Sequence, residues 1–187
     1  MRFRLATKAD AAALLAIYKP YVENTAITFE YDLPSLSEFA SRIEQIGSKF
    51  PYLVALENEK IIGYAYASPY RTRAAYDWVV ELSIYLDENE RQHGAGTQLY
   101  QKLLRLLTLL NYQRAYACIT SPNPESIGFH QKFGFQQIGF FQNSGYKFGQ
   151  WYGIVWLELP LQTKAEVHPP KPISALSSQK LTEILES

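Results

Sequence analysis

Two features of this chain are built for chemistry: a glutamate inside an apolar strand, and a glycine pair at the head of a helix. Glu81 stands in Trp78-Val79-Val80-Glu81-Leu82-Ser83-Ile84-Tyr85-Leu86. Strand alternation places it on one face with Val79, Ser83 and Tyr85. A carboxylate in a mostly buried strand loses hydration, which lifts its pKa toward neutrality and suits a general base. The competing reading is a glutamate paired with an arginine from a loop. Just downstream, Glu90-Arg91-Gln92-His93-Gly94-Ala95-Gly96-Thr97-Gln98-Leu99-Tyr100 reads as a glycine turn that opens a helix. A helix N-terminus offers unpaired N–H groups and partial positive charge, and glycines let the backbone come close to an anion. The chemistry implied is pyrophosphate binding. No Lys-Ser or Lys-Thr follows Gly96, which excludes a Walker loop. Leu99 stands where a dinucleotide fingerprint needs its third glycine. The bland alternative is a glycine-rich helix start with no ligand.

The elements that must position these residues follow from periodicity. Arg2 to Ala6 alternates as a strand, and Thr7 caps a helix that carries Leu14, Ile17, Tyr18 and Tyr21. Ser35 and Glu38 form a capping box for a second helix with Phe39, Ile43 and Ile46 on its apolar stripe. Tyr52 to Leu56 and Ile61 to Ala67 form a hairpin about a polar turn. Ser68 to Ala75 is a loop with Arg71 and Arg73, and Tyr76 to Leu86 is expected to be the longest strand. Ala95 to Leu110 is an amphipathic helix and Arg114 to Ile119 a buried strand. Asn123 and Pro124 are the cap and first position of a further helix reaching about Phe133. Gln136 to Gln142 is a strand, 143–149 a loop, and Trp151 to Leu159 the last strand. The order predicts a mixed α/β sheet with helices on its faces.

The chain has 187 residues, which argues for one domain. Its 18 basic and 18 acidic residues cancel, so no broad pull toward nucleic acid or a membrane surface is expected. Cys118 is the only cysteine, which cannot close an internal disulfide and suits a reducing, cytoplasmic setting. Arg2, Arg4, Lys8 and Asp10 interrupt the N-terminus, so no signal peptide is expected, and no run is long and apolar enough to span a bilayer. Residues 1–161 are expected to form the domain. The Pro-containing segment 162–187 is expected to be a flexible tail, with a possible short helix through Leu181, Ile184 and Leu185 that is solvated rather than docked.

The spacing Arg91-x-x-Gly94-x-Gly96 resembles the acetyl-CoA loop of the GCN5-related N-acetyltransferases, the GNAT superfamily. Several segments, taken together and in order, resemble its phosphinothricin N-acetyltransferase family. They are Thr25-Ala26-Ile27-Thr28-Phe29-Glu30, Gly63-Tyr64-Ala65-Tyr66-Ala67, the Glu81 strand, Ser121-Pro122-Asn123-Pro124 with Phe133-Gly134-Phe135, and Gly145-Tyr146-Lys147-Phe148-Gly149-Gln150-Trp151. The resemblance covers about residues 1–161. It implies a mostly antiparallel mixed sheet with a splayed central strand pair and helices on both faces. It implies acetyl-CoA as co-substrate, no metal, and a small amine as acceptor. Glu81 would be the base, and His130 would stand where many relatives carry a tyrosine that protonates the leaving thiolate. Ile84, Tyr85 and Leu86 would pair with the cofactor's amides. Arg91, Gln92, His93, Gly94, Ala95, Gly96 and Thr97 would hold its pyrophosphate, with Asn123 and Lys132 as further contacts. Phe29, Arg73, Ala74, Ala75, Tyr76 and Glu81 would surround the amine, and Arg73 would meet an anionic group on it. A homodimer is implied as well. The chain departs from the family pattern at Gln92 and His93, at Gln150 and at Gly153.

The resulting expectation is an acetyl-CoA-dependent N-acetyltransferase for a small amino acid or analogue. The rivals are an acetyltransferase for a protein terminus or polyamine, and an acyl-CoA-binding sensor without turnover. Arg71 and Arg73 argue against a polyamine, and Glu81 argues against a sensor.

Overall fold

The computed structural model describes residues 1–90, 94–162 and 166–187. Its strands are β1 (Arg2–Leu5), β2 (Tyr52–Glu57), β3 (Lys60–Pro69), β4 (Val79–Leu86), β5 (Arg114–Ser121), β6 (Gln136–Lys147) and β7 (Gln150–Pro160). Its helices are α1 (Ala11–Asn24), α2 (Leu36–Gly47), α3 (Ala95–Leu109), α4 (Pro124–Lys132) and α5 (Ser178–Glu186). The strands form one seven-stranded sheet in the order β1-β2-β3-β4-β5-β7-β6. All pairs are antiparallel except β4 with β5. No helix among the described residues is long and apolar enough to cross a membrane.

The two faces of the sheet are separate cores. Leu53, Ala55, Ala65, Val80, Leu82, Ala115 and Ala117 pack under the Leu99, Leu103, Leu106 and Leu107 stripe of α3. Tyr52, Val54, Leu56 and Tyr64, one residue out of phase, pack under Leu14, Ile17, Tyr18 and Tyr21 of α1 and Phe39 and Ile43 of α2. This is the alternation expected of strands with a helical layer on each side. Glu81 falls on the α1–α2 phase, out of step with Val80 and Leu82. Local signals set the ends: the Ser35 side chain accepts from the Glu38 N–H at 3.2 Å, and Asn123 accepts from Ser126 at 3.1 Å.

Three expectations are corrected. Residues Ala74–Tyr76 form a turn of 3₁₀ helix, so β4 starts at Val79 and is shorter than β6, whose 12 residues make it the longest strand. The loop expected at 143–149 is mostly strand. β6 shifts register between Phe141 and Gly145, with Asn143 at φ +51°, and then pairs on to Lys147. The register shift breaks the alternation that a strand is recognised by. The turn itself is only Phe148 and Gly149, both at positive φ, as a tight hairpin requires. Finally, segment 162–187 is not a free tail over its described part. Ile173, Ile184 and Leu185 are buried in the α3-side core, and the Lys102 ammonium donates to the Ile184 carbonyl at 3.1 Å.

Candidate active site

The central strands part at Glu81. β4 pairs with β3 from Val80 to Leu86, yet with β5 only at Val79, Val80 and Glu81. Beyond Glu81 the two strands diverge, and Leu82 to Tyr85 face Ala117 to Thr120 across a cleft whose wall also includes Ile27, Asn123, Ser126 and His130. The sheet thus opens a slot with main-chain edges exposed on both sides, and Glu81 stands at its vertex.

Glu81 is half-buried, and burial raises its pKa. Among the described residues no cation or hydrogen-bond donor is paired with its carboxylate, so the loop-arginine reading is not what the structure holds. Its charge is felt by two neighbours on the same face. Burial and then Glu81 push the Cys118 thiol up to about 12, and Glu81 also contributes, after burial, to the raised pKa of the half-buried Tyr66. A desolvated, unpaired carboxylate at an open cleft accepts a proton more readily than one in water.

His130 is buried in the last turn of α4, edge-on to Tyr100, Phe129 and Phe135. Its Nδ1 lies 2.7 Å from the Ser126 carbonyl, and burial lowers its pKa. A carbonyl only accepts, so Nδ1 carries the hydrogen and the neutral ring leaves Nε2 bare. The ring therefore holds no proton on Nε2 to give at neutral pH, which runs against the expected role as donor to a thiolate. Asn123 caps α4 and also borders the cleft. Lys132 is exposed in the last turn of α4.

On the cofactor side, Gly94 takes φ +75° at the head of α3 and brings no capping side chain. The first N–H groups of the helix, at Ala95, Gly96 and Thr97, have no helical acceptor. Gly96 is buried against β4, and a Cβ there would lie 2.9 Å from Leu86 Cδ1. Arg91, Gln92 and His93 lie outside the described residues. The Leu86 main chain is already engaged: the Tyr21 hydroxyl donates to its carbonyl at 2.7 Å and accepts from its N–H at 3.2 Å. Alternation aims the Ile84 N–H and carbonyl along the same edge, toward the cleft, whereas those of Tyr85 aim at β3.

The substrate-side residues fall in two places. Phe29 lies over Gly145 of β6, and Ile27 of the same segment lines the cleft. Arg73 and Tyr76 surround a separate concavity with Arg71 and Thr72, beside the exposed Ala74 and Ala75. Arg71 stacks over Tyr70 and Tyr76, at 5.1 and 5.7 Å from the ring centres, whereas Arg73 forms no ion pair among the described residues. The root of this loop does reach the vertex. Tyr70 meets Tyr116 edge-on at 4.8 Å, and Tyr116 is the register partner of Glu81. Sequence reasoning gave no site role to Ile27, Tyr21 or Lys147. All three sat in segments it had singled out, but their contacts span 65 residues or more, which no local pattern reports. Among the described residues no group of three or more His, Cys, Asp or Glu side chains could hold a metal ion.

Comparison with known proteins agrees with this geometry. Residues 3–156 match the family described as acetyltransferase (GNAT) domain. The chain is 30% identical over 176 residues to a phosphinothricin N-acetyltransferase of Streptomyces viridochromogenes, covering 94% of this chain and 96% of that one. It is 32% identical over 158 residues to an L-methionine sulfoximine/L-methionine sulfone acetyltransferase of Pseudomonas aeruginosa, covering 82% and 90%. A crystal structure of a GNAT superfamily phosphinothricin acetyltransferase from Sinorhizobium meliloti in complex with acetyl-CoA superposes with a TM-score of 0.83 at 35% identity, covering 91% of this chain and 97% of that one. A sheet split at a half-buried glutamate, a glycine-headed helix beside the split and this extended likeness make one case: the chain belongs to the GNAT family of acetyltransferases.

Proposed function

We propose that this enzyme transfers the acetyl group of acetyl-CoA to the primary amine of a small amino acid or analogue of the phosphinothricin or methionine sulfoximine and sulfone type. The observation that carries the reading is Glu81, a desolvated and unpaired carboxylate at the vertex of the split sheet. The substrate class is supported by the activities for which the similar proteins are named.

The residues present fit the co-substrate. The Ile84 edge accepts an extended amide chain by strand addition, with Tyr85 and Leu86 continuing the same wall. The N–H groups of Gly94, Ala95, Gly96 and Thr97 suit a pyrophosphate, with Arg91, Gln92 and His93 next to them in sequence and Asn123 and Lys132 as further contacts. When bound, acetyl-CoA supplies acetyl as a thioester with coenzyme A as leaving group. The protein's part is proton handling and placement. A primary amine arrives as ammonium, and its nitrogen is a nucleophile only after one proton leaves, which Glu81 takes directly or through a water. The nitrogen loses its second proton as the C–S bond breaks, and that proton suffices for the thiolate. The whole reaction then releases one proton. No separate acid is required, and the bare Nε2 of His130 serves as an acceptor or a wall rather than a donor. Arg73 supplies the cation for a carboxylate or phosphinate, with Phe29, Ala74, Ala75 and Tyr76 bounding the amine. The working unit is a homodimer of the reducing cytoplasm that acts on a small molecule rather than a nucleic acid or membrane.

The test is thiol release from acetyl-CoA across phosphinothricin, methionine sulfone, methionine sulfoximine, the standard amino acids and polyamines, with Glu81→Gln alongside. Turnover of the methionine analogues that is lost in the variant is the expected result. Acetyl-CoA binding without turnover of any amine would redirect the assignment to a protein substrate or a sensor.

A further inference from the structure

The segment Thr25–Glu30 follows α1 and reaches the cleft at Ile27, and two residues of β6 pack against it. Gly145 and Lys147 are two residues apart on β6, so both project from the same face. A Cβ on Gly145 would lie 2.3, 2.5 and 2.6 Å from three ring atoms of Phe29. No side chain fits there unless the ring moves. Lys147 is 2% exposed, and its ammonium donates to the carbonyls of Val22 at 2.7 Å, Thr25 at 2.8 Å and Thr28 at 2.9 Å. Three donors meet three acceptors, so the group is saturated. The Val22 carbonyl belongs to the last turn of α1, whose carbonyls lack helical partners. An ammonium at that point therefore ends the helix and orients the chain that leaves it. The same segment is tied at its flanks, by the Tyr18 hydroxyl on Thr28 Oγ1 at 2.7 Å, by Thr120 Oγ1 on the Ile27 carbonyl at 3.4 Å and by Arg42 on Glu30 at 2.6 Å. Ile27 lines the cleft beside Ser83 and Cys118.

We propose that Gly145 and Lys147 are positioning residues of the acetyl-transfer site, a two-point dock on β6 that sets where Phe29 and Ile27 stand and so fixes the room left for the amine's side chain. The glycine fixes the depth of the Phe29 ring, and the ammonium fixes the path of the main chain on either side of Ile27. This gives the Gly145-Tyr146-Lys147 segment, distant in sequence from Glu81, a part in substrate choice. The inference rests on the acetyl-transfer reading above.

The experiment is steady-state thiol release with methionine sulfone as the amine, on wild type, Gly145→Ala, Lys147→Met, Phe29→Ala and the Gly145→Ala/Phe29→Ala double variant. Gly145→Ala and Lys147→Met are each expected to raise the amine KM about tenfold while the acetyl-CoA KM stays within about twofold. A general loss of structure would instead reduce the active fraction and leave both KM values in place. In the Phe29→Ala background, adding Gly145→Ala is expected to change the amine KM less than about twofold, because the ring that the new methyl would strike is gone. An equal effect of Gly145→Ala with and without that ring, or an unchanged amine KM, would overturn the inference while leaving acetyl transfer in place. Should Lys147→Met fail to fold, the Gly145–Phe29 cycle still decides. Wild type that binds acetyl-CoA and turns over no amine would remove the acetyl-transfer reading and this inference with it.

Discussion

At the scale of single residues, Glu81 combines a cost in stability with a gain in reactivity. Burial raises its folded-state pKa above the unfolded value. A raised pKa means that the folded protein binds this proton more tightly than the unfolded chain. Its contribution to stability is therefore fully present below the unfolded pKa and is lost as pH rises through the folded one. Glu81→Gln removes the buried charge at nearly constant shape. The variant is expected to melt higher than wild type at pH 7, with the difference vanishing as pH falls below the ordinary carboxylate range. Thermal melts at several pH values would show it, and equal melting at pH 7 would count against a desolvated carboxylate. Activity should move the opposite way, falling about 10²- to 10⁴-fold in the variant at neutral pH. In wild type, kcat/KM should decline on the acid side as Glu81 gains its proton, at a pH above that of an exposed glutamate. His130 has the reverse sign. Its lowered pKa contributes stability that is present above the ordinary imidazole value of 6.5 and is lost as pH falls through the folded pKa, which adds to acid sensitivity. The desolvation of Glu81 was legible from one polar residue among Val79, Val80, Leu82 and Ile84. The proton state of His130 was not, because it depends on a hydrogen bond that only the folded helix supplies.

At the scale of elements, most boundaries were legible because local chemistry sets them: the Ser35 and Asn123 caps, the glycine at the head of α3 and the turn between β2 and β3. What was not legible depends on partners far away in sequence. The Leu181, Ile184, Leu185 pattern announces a helix at the end of the chain, yet nothing local says that it is docked. Its partners are Lys102 and the core around α3, some 80 residues earlier. Likewise the split of β4 from β5 leaves no mark on either strand, since each keeps its alternation and a full partner on its other side, and it was expected only through the family resemblance. The docked helix makes a quantitative prediction. Ile184 is fully buried, so Ile184→Ala should cost about 2–5 kcal/mol in urea unfolding. A solvated tail would give a change within about 0.5 kcal/mol. Because α5 packs behind α3, and α3 presents Gly94 and Gly96 toward the cofactor side, the same substitution tests whether the terminal helix steadies that end of the site.

At the scale of the whole molecule, the two sheet edges are treated differently. β1 is guarded by charge, with Arg2 paired to Glu59 and Arg4 to Asp10, which is how soluble sheets discourage edge-to-edge pairing. β6 has no such guard. From Gln136 to Lys147 its only charged side chain is Lys147, and that one is buried. Around it Ile138, Phe140, Phe141, Tyr146, Phe148 and Trp151 are all exposed. A long edge rimmed with aromatics invites self-association, and a net formal charge of zero offers no long-range repulsion against it. A closed two-fold pair of hairpins would cover both copies of this surface at once, whereas an open arrangement would run on into fibres. The proposed homodimer is therefore expected to form through the β6–β7 hairpin, and Phe141→Asp combined with Trp151→Glu should give a monomer in sedimentation velocity at micromolar concentration. The inner face of the same strand docks Phe29 through Gly145 and holds Thr25 and Thr28 through Lys147. Separating the copies should thus loosen the amine side first, with the amine KM rising while acetyl-CoA binding, which draws on β4 and α3, stays near wild type. Wild type that sediments as a monomer would sink the dimer. A monomeric variant with an unchanged amine KM would show instead that the hairpin holds its inner face without help from a second copy.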